Sequence, residues 1–212
     1  MKKILIFTLF LLLITGCVSK EISNGYKKMK VASDSIDGYT LDLRIEGNPE
    51  NEVIDGRARI SNYNNDYKIV IVNPGPASEN TREEIIYVKN SKIFVAENGF
   101  YVETNEDLIY TNPNIYLEGL NYIKKNVRSE EIINKINYHV YDVIIDKSFA
   151  KNIIEDLNLS NLKIPKDIEG KVYIDGEGYV YRIIYYINDI TITATYFWID
   201  ADQKISFPSE IK

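Results

Sequence analysis

The chain has 212 residues and carries 25 Lys and Arg against 31 Asp and Glu, with one His and one Cys. This length suits one domain or two small ones, and a hydrophobic fraction of 45% is enough to bury a core. The net charge of −6 argues against a nucleic-acid binder, which usually presents a basic surface. A single Cys excludes an internal disulfide, and one Cys with one His cannot assemble the usual zinc ligand sets. We therefore expect no metal, no cofactor and no nucleic-acid partner.

The first 17 residues contain a basic, an apolar and a small-residue segment in succession. Lys2 and Lys3 precede an apolar run over residues 4–14, which is shorter than the roughly 20 apolar residues that span a bilayer. The run leads into Ile14-Thr15-Gly16-Cys17, which resembles the lipobox of bacterial lipoproteins. The resemblance implies a signal peptide over residues 1–16 and a diacylglyceryl anchor on Cys17, with palmitate among its acyl chains. The alternatives are an ordinary secretory signal followed by an unmodified Cys, or a buried structural thiol.

Residues 17–36 are polar and rich in Lys, Ser and Asn. We interpret them as a lipidated tether whose last part forms a short helix through Tyr26, Met29 and Ala32. In the alternative interpretation, their lysines are attracted to anionic head groups, at about 1 kcal/mol each near a membrane surface. Residues 37–212 show no repeat and no interior linker, so we expect them to form a single domain.

From Tyr39 onward, apolar and polar residues alternate along the chain. Tyr39, Leu41 and Leu43 alternate with Thr40 and Asp42, and this period of two predicts a half-buried strand at residues 39–46. Similar segments separated by turn residues predict further strands at 53–62, 67–72, 84–88, 92–96, 99–103, 136–145, 170–174, 179–187 and 190–199.

Two helices are predicted between these strands. The first begins at Asn112-Pro113, a plausible N-cap followed by proline, and the residues at helical spacing are Tyr116, Leu120, Ile123 and Val127. The second covers residues 148–157, where Phe149, Ile153 and Leu157 recur every fourth position.

The last two predicted strands are apolar on both faces. Strict alternation groups Tyr181 with Ile183 on one face of the first strand. In the second strand it groups Ile190, Ile192, Ala194, Tyr196 and Trp198 opposite Thr191, Thr193 and Thr195. A sheet with one wetted face does not need two apolar faces, so we expect the second face to be covered or occupied.

The order of these elements and several local stretches resemble a second family. The stretches are Tyr39-Thr-Leu-Asp-Leu and residues 137–145, 170–183, 195–199 and 205–211. Together with the lipobox they resemble the LolA/LolB and LppX/LprG lipoprotein-carrier superfamily. The resemblance implies an α+β fold: a strongly curved antiparallel sheet, an incomplete β-barrel, with two or three helices covering its concave face.

Several members of that superfamily hold lipid or acyl chains in the hollow of the sheet. The resemblance therefore implies an apolar lining, for which the candidates are Leu41, Leu43, Tyr181, Ile183, Ile192, Ala194, Tyr196 and Trp198. A sheet packed tightly on its helices needs the same apolar faces and holds no ligand. The sequence leaves a ligand cavity and a filled core as alternatives.

No residue pattern indicates catalysis. His139 lies within a predicted strand, and no Gly-x-Ser-x-Gly motif accompanies it. Asp200 and Asp202 resemble part of a calcium loop but lack the glycine and glutamate that an EF-hand requires. We predict a non-enzymatic lipoprotein, anchored in the cell membrane on the extracytoplasmic side, that binds a hydrophobic or lipid-like ligand. The alternative is an envelope protein-interaction or sensor module with a filled core.

Overall fold

The computed structural model describes residues 20–34, 38–47, 54–73, 82–106, 108, 110–156, 163–199 and 204–211. The predicted signal peptide at residues 1–16, the lipobox Cys17, and Asp200 with Asp202 lie outside the described residues.

Eleven strands form one antiparallel sheet, and three helices accompany it. The strands are β1 (Tyr39–Gly47), β2 (Ile54–Tyr63), β3 (Asp66–Asn73), β4 (Arg82–Lys89), β5 (Lys92–Glu97), β6 (Phe100–Thr104), β7 (Ile123–Ile133), β8 (Ile136–Asp146), β9 (Asp167–Ile174), β10 (Val180–Ile187) and β11 (Ile190–Phe197). The helices are α1 (20–34), α2 (Ile115–Glu118), which continues into a 3-10 turn at Gly119–Tyr122, and α3 (Lys147–Asp156). The α+β class predicted from the sequence is confirmed.

The sheet consists of two meanders joined in its centre. Its strand order is β6-β5-β4-β3-β2-β1-β11-β10-β9-β8-β7, so the first and last strands pair and the sheet stays open at β6 and β7. In the central pair, Leu43 lies opposite Ala194 and Ile45 lies opposite Ile192. The period-two residues of both strands therefore share one face, which we call the inner face.

All three helices pack on the inner face. Met29 and Ala32 of α1, Tyr116 of α2, and Phe149 and Ile153 of α3 are fully buried. All of them except Ala32 belong to the same hydrophobic cluster as the inner residues of β1, β10 and β11. Residues 20–34, placed in the predicted tether, are thus part of the folded body.

Contacts of α1 with the sheet show that the sheet curves around this helix. Glu21 contacts β8 and Ser33 contacts β2. Twelve residues of helix span about 18 Å, whereas the five strand spacings from β8 to β2 span about 24 Å along the sheet. The helix is the shorter path, as expected for a chord across a curved sheet.

The first predicted helix is wrong from Ile123 onward. The structure has α-helix at Ile115–Glu118 and a 3-10 turn at Gly119–Tyr122, and residues from Ile123 onward form β7, which pairs with β8 along its length. Val127, expected on the buried helix face, is 69% exposed. Pairing with β8 supplies backbone hydrogen bonds that the local helical spacing does not reveal. The charged residues of this segment protect an edge strand from pairing with another chain.

Candidate functional site

Six of the eight predicted lining residues lie between the sheet and the helices. Leu41, Leu43, Ile183, Ile192, Ala194 and Tyr196 are each 0–2% exposed. They belong to one continuous cluster with the buried residues of α1, α2 and α3. The structure therefore brings these six residues together, in an interface filled by side chains of the helices.

The other two predicted lining residues lie elsewhere, which corrects the face assignment made from alternation. The register shifts between Val180 and Arg182, and this β-bulge moves Tyr181 to the face opposite Ile183. Strand β11 ends at Phe197, and Trp198 has a left-handed backbone with a φ of 48° and is 66% exposed. Strict alternation cannot reveal a bulge or a strand end, because both depend on pairing with neighbouring strands.

The centre of the helix–sheet interface is unusually rich in tyrosine. Five of its fully buried side chains are Tyr39, Tyr116, Tyr141, Tyr185 and Tyr196. The Tyr39 hydroxyl donates to Asn114 Oδ1 at 3.0 Å, and the Tyr185 hydroxyl donates to the Tyr116 carbonyl oxygen. Among the described residues, the Tyr196 hydroxyl has no hydrogen-bond partner. Burial raises the pKa of Tyr196 well above its usual range, so this unpaired group is a neutral hydroxyl in a dry environment.

A buried polar network attaches the end of α1 to the sheet. Asn62 Nδ2 donates to Ser33 Oγ at 2.8 Å, and Asn114 Nδ2 donates to the Tyr67 hydroxyl at 3.0 Å. Ser33 Oγ also lies 3.2 Å from Asn114 Oδ1, so the network joins α1, the β2–β3 hairpin and the start of α2. Burial raises the pKa of Tyr67 to about 12. The hydroxyl of Tyr67 thus stays protonated and available to the network.

The opposite end of α1 is held by its Glu21 carboxylate. Oε1 lies 2.5 Å from His139 Nδ1, the Tyr141 hydroxyl donates to Oε2, and Arg128 Nη1 lies 3.6 Å from Oε2. We call these four residues the Glu21 cluster. The sequence did not indicate it, because Glu21 is 118 positions from His139 and only the fold brings them together. His139 therefore has a structural partner at the start of α1.

Acidification is expected to loosen this end of α1. Burial acts to raise the pKa of Glu21, but hydrogen bonds from His139 and Tyr141 and the charges of His139 and Arg128 outweigh it, so the pKa lies below its ordinary value of 4.5. A carboxylate with a lowered pKa contributes stability that is complete above its unfolded value and is lost as the pH falls through the folded value. The protection factors of the α1 amides, which compare the observed with the intrinsic exchange rate at each pH, should therefore fall below about pH 4.5. Glu21→Gln should flatten this dependence, and an unchanged pH profile in that variant would contradict the assignment.

The outer face carries a polar groove of about 720 Å³. The inner residues of β1 and β2 alternate with charged outer residues, and the groove is lined by Asp42, Arg44, Glu46, Arg57, Arg59, Arg182, Thr193 and Thr195, among others. Arg59 forms two hydrogen bonds with the Asp42 carboxylate, at 2.7 and 3.2 Å. This ion pair is partly exposed to water, where a pair contributes about 0–1 kcal/mol to stability. The charged lining does not suit an acyl chain, which leaves the helix–sheet interface as the apolar candidate site.

The described part of the chain has neither a cluster of metal-binding side chains nor a membrane-spanning helix. No group of three or more His, Cys, Asp or Glu side chains there is arranged to hold a metal ion. None of the helices between residues 20 and 156 that the structure describes is long and apolar enough to cross a membrane.

The fold is similar to that of two mycobacterial proteins of known structure. LprF from Mycobacterium bovis superimposes with a TM-score of 0.56 and 10% sequence identity, covering 91% of this chain and 96% of that chain. The lipoprotein LppX from Mycobacterium tuberculosis superimposes with a TM-score of 0.57 and 11% identity, covering 89% and 98% respectively. The predicted likeness to LppX-type proteins is thereby confirmed at the level of the fold.

A LolA-superfamily protein from Nitrosomonas europaea aligns over 88% of this chain and 96% of that chain, at 12% identity and a TM-score of 0.35. Neither the family models nor the curated proteins match the sequence.

Proposed function

We propose that this protein is an extracytoplasmic lipoprotein, held in the outer leaflet of the cell membrane by acyl chains on Cys17. Two features support the anchor: the lipobox-like sequence, and the position of α1, which the structure describes from residue 20. The Glu21 cluster holds the start of this helix on β7 and β8. Two acyl chains, at about 0.8 kcal/mol per buried methylene, would retain the protein where one chain binds reversibly.

We further propose that the protein has no catalytic role and binds a hydrophobic, lipid-like ligand between the helices and the inner face. The observation that carries this proposal is the Tyr196 hydroxyl, which is buried at the centre of the apolar interface and has no hydrogen-bond partner in the part of the chain that the structure describes. An unpaired buried hydroxyl costs about 1–3 kcal/mol. A ligand with a carbonyl or ester oxygen at this point would accept the missing hydrogen bond while its chains lie against Leu43, Ile192 and Ala194.

Entry of such a ligand requires the helices to move. The lining residues are 0–2% exposed, so an acyl chain has to displace helical side chains. The two ends of α1 are held by polar contacts at Glu21 and Ser33, which are interactions that water can replace. An apolar ligand would thus exchange with the middle of α1, where Met29 is fully buried.

The complete burial of the same residues favours a second candidate function. A filled core needs no ligand, and the protein would then be an envelope interaction or sensor module that presents its surface to a protein partner. The two candidates predict different masses for the protein as isolated from its membrane.

Native mass spectrometry separates the two functions. The full chain is extracted from membranes in mild detergent and compared with the same chain after organic-solvent extraction and refolding. The covalent anchor stays in both samples, so a mass difference of a lipid's size reports a non-covalent ligand. We expect this difference, together with binding of a fluorescent fatty acid to the sample that has been extracted with organic solvent and refolded. Identical masses and no binding would overturn the ligand proposal and support the interaction module.

Two tyrosine substitutions should change stability in opposite directions in the protein freed of ligand by organic-solvent extraction. Tyr196→Phe removes the unpaired hydroxyl and should raise the free energy of unfolding by about 1 kcal/mol. Tyr185→Phe removes the hydrogen bond from the Tyr185 hydroxyl to the Tyr116 carbonyl oxygen and should lower that free energy by about 1–2 kcal/mol. Denaturant titration measures both. Fatty-acid affinity should be lower in Tyr196→Phe than in the unsubstituted protein. Equal affinity in Tyr196→Phe and the unsubstituted protein would exclude a ligand contact at this hydroxyl.

A further inference from the structure

The tip of the β7–β8 hairpin exposes large apolar side chains at the edge of the sheet. Ile132 is 73% exposed and Ile136 is 52% exposed, on either side of the turn at Asn134 and Lys135. Ile133, which lies between them, is partly buried because it packs against the outer cluster of Tyr138, Val140 and Tyr173. Ile132 and Ile136 remain exposed to water, at positions where a polar residue would not lower the stability of the fold.

A row of aromatic rings connects this tip with the single Trp of the protein. Tyr138 stacks on Tyr181 with ring centroids 4.5 Å apart, and Tyr181 meets the edge of Phe197 at 6.2 Å. Phe197 contacts Trp198 at 6.4 Å, and Trp198 is 66% exposed. Three successive antiparallel pairings, β8 with β9, β9 with β10 and β10 with β11, separate β8 from β11, so these two strands run in opposite directions. The start of β8, at the tip of the β7–β8 hairpin, and the end of β11 therefore lie at the same end of the sheet.

The chain outside the structure emerges beside this end of the sheet. Glu21 is bound to His139 and Arg128, and Ile136 lies three residues before His139, about 10 Å along the strand. Cys17 lies four residues before Glu21, a reach of at most about 14 Å. An acyl anchor on Cys17 would therefore hold the hairpin tip and Trp198 close to the lipid surface.

We propose that Ile132, Ile136 and Trp198 form a second membrane contact that dips into the lipid interface next to the anchor. We call these three residues the interfacial rim. Trp and Tyr favour the boundary between head groups and acyl chains, and isoleucine side chains at a hairpin tip can enter it without unpairing the backbone. Glu130 and Glu131 lie just behind the tip, which limits the contact to a shallow one.

The orientation of the protein on the membrane follows from this contact. The inference rests on the proposed function, because the proposed anchor on Cys17 is what brings the interfacial rim close to lipid. With the interfacial rim against the lipid, the strands stand away from the membrane and α1 lies near the surface. The middle of α1, where a ligand would enter the helix–sheet interface, then faces the lipid from which a hydrophobic ligand would come.

The intrinsic fluorescence of the protein tests this contact without the anchor. The chain from Val18 to Lys212, which lacks the acylated Cys and retains every described residue, is mixed with phosphatidylcholine–phosphatidylglycerol vesicles. Trp198 is the only Trp, so its emission reports the rim directly. We expect a blue shift and quenching by lipids brominated near the head group. Failure of this test would leave the anchor proposal intact, because palmitate labelling examines Cys17 separately.

Matched substitutions locate the contact. Ile132→Asp combined with Ile136→Asp should weaken vesicle binding at least tenfold. Phe100→Asp should leave it unchanged, because Phe100 is similarly exposed, at 62%, but follows the β5–β6 turn at the opposite end of the strands. Circular dichroism checks that both variants are folded. An unshifted Trp198 emission, binding that high salt abolishes without a shift, or equal binding of the two variants would each overturn the proposal.

Discussion

Cys17→Ser is expected to abolish incorporation of radiolabelled palmitate into the protein. The thiol is the acceptor of the diacylglyceryl group that the lipobox-like sequence implies, and no other Cys can replace it. Replacing residues 1–17 with a secretory signal that is cleaved before Val18 should move the protein from the detergent phase to the aqueous phase. The second form is needed because an uncleaved apolar signal could itself hold the protein in the membrane.

Gly16→Ala is the matched control for this substitution. It keeps a small residue before Cys17 and should leave labelling and detergent partitioning unchanged. Palmitate incorporation that persists in Cys17→Ser, or a Val18–Lys212 chain that stays as firmly in the detergent phase, would contradict the anchor.

Phe149→Ala should cause the largest loss of stability among the substitutions considered. Phe149 is 0% exposed, and its ring lies 5.5 Å from that of Tyr122 and 5.6 Å from that of Tyr185. It thereby joins α3 to the turn after α2 and to β10. Truncating a buried phenylalanine costs about 3–5 kcal/mol, which corresponds to a fall in Tm of roughly 10 °C in a domain of this size. Thermal and denaturant unfolding measure this effect.

Lys151→Ala in the same helix is the control. Its side chain is 64% exposed and forms only a 3.4 Å surface pair with Glu155, so the change should stay within about 0.5 kcal/mol. If both substitutions have equally small effects, α3 does not pack on the inner face as described.

Lipid binding makes an additional prediction for the same variant. Removing the Phe149 ring opens space beside Tyr185 in the helix–sheet interface. If a ligand occupies this interface, part of the lost stability should return when a fatty acid is added, because a ligand that binds only the folded state stabilises it by mass action.

Most strands could be predicted because their signal is local. The alternation from Tyr39 to Ile45 places every second side chain on one face, and it matches the buried pattern of β1 in the structure except at Thr40, which is also buried. The hairpin turn at Asn188 and Asp189 was likewise predictable, since Asn tolerates the left-handed backbone that this turn requires, with a φ of 51°.

Elements whose conformation depends on distant partners were not predictable. Residues 123–133 form a strand only because β8 lies beside them, and Tyr181 changes face only because of a bulge against β9. The Glu21 cluster joins residues 118 and 120 positions apart. No spacing rule applies over such distances in the chain.

The sequence by itself determined the class of protein that we propose: a short apolar leader ending at a lone Cys, followed by one antiparallel domain. These properties follow from composition and from the period of hydrophobic residues, which depend on neighbours in the chain. Only the tertiary structure decided that six of the predicted lining residues are packed beneath three helices and that Tyr196 lacks a hydrogen-bond partner among the described residues. It also decided that Ile132 and Trp198 lie at the end of the sheet where Glu21 of α1 is bound. Burial, pairing and exposure depend on the strand order and on which face the helices cover, and alternation along one strand carries no information about either.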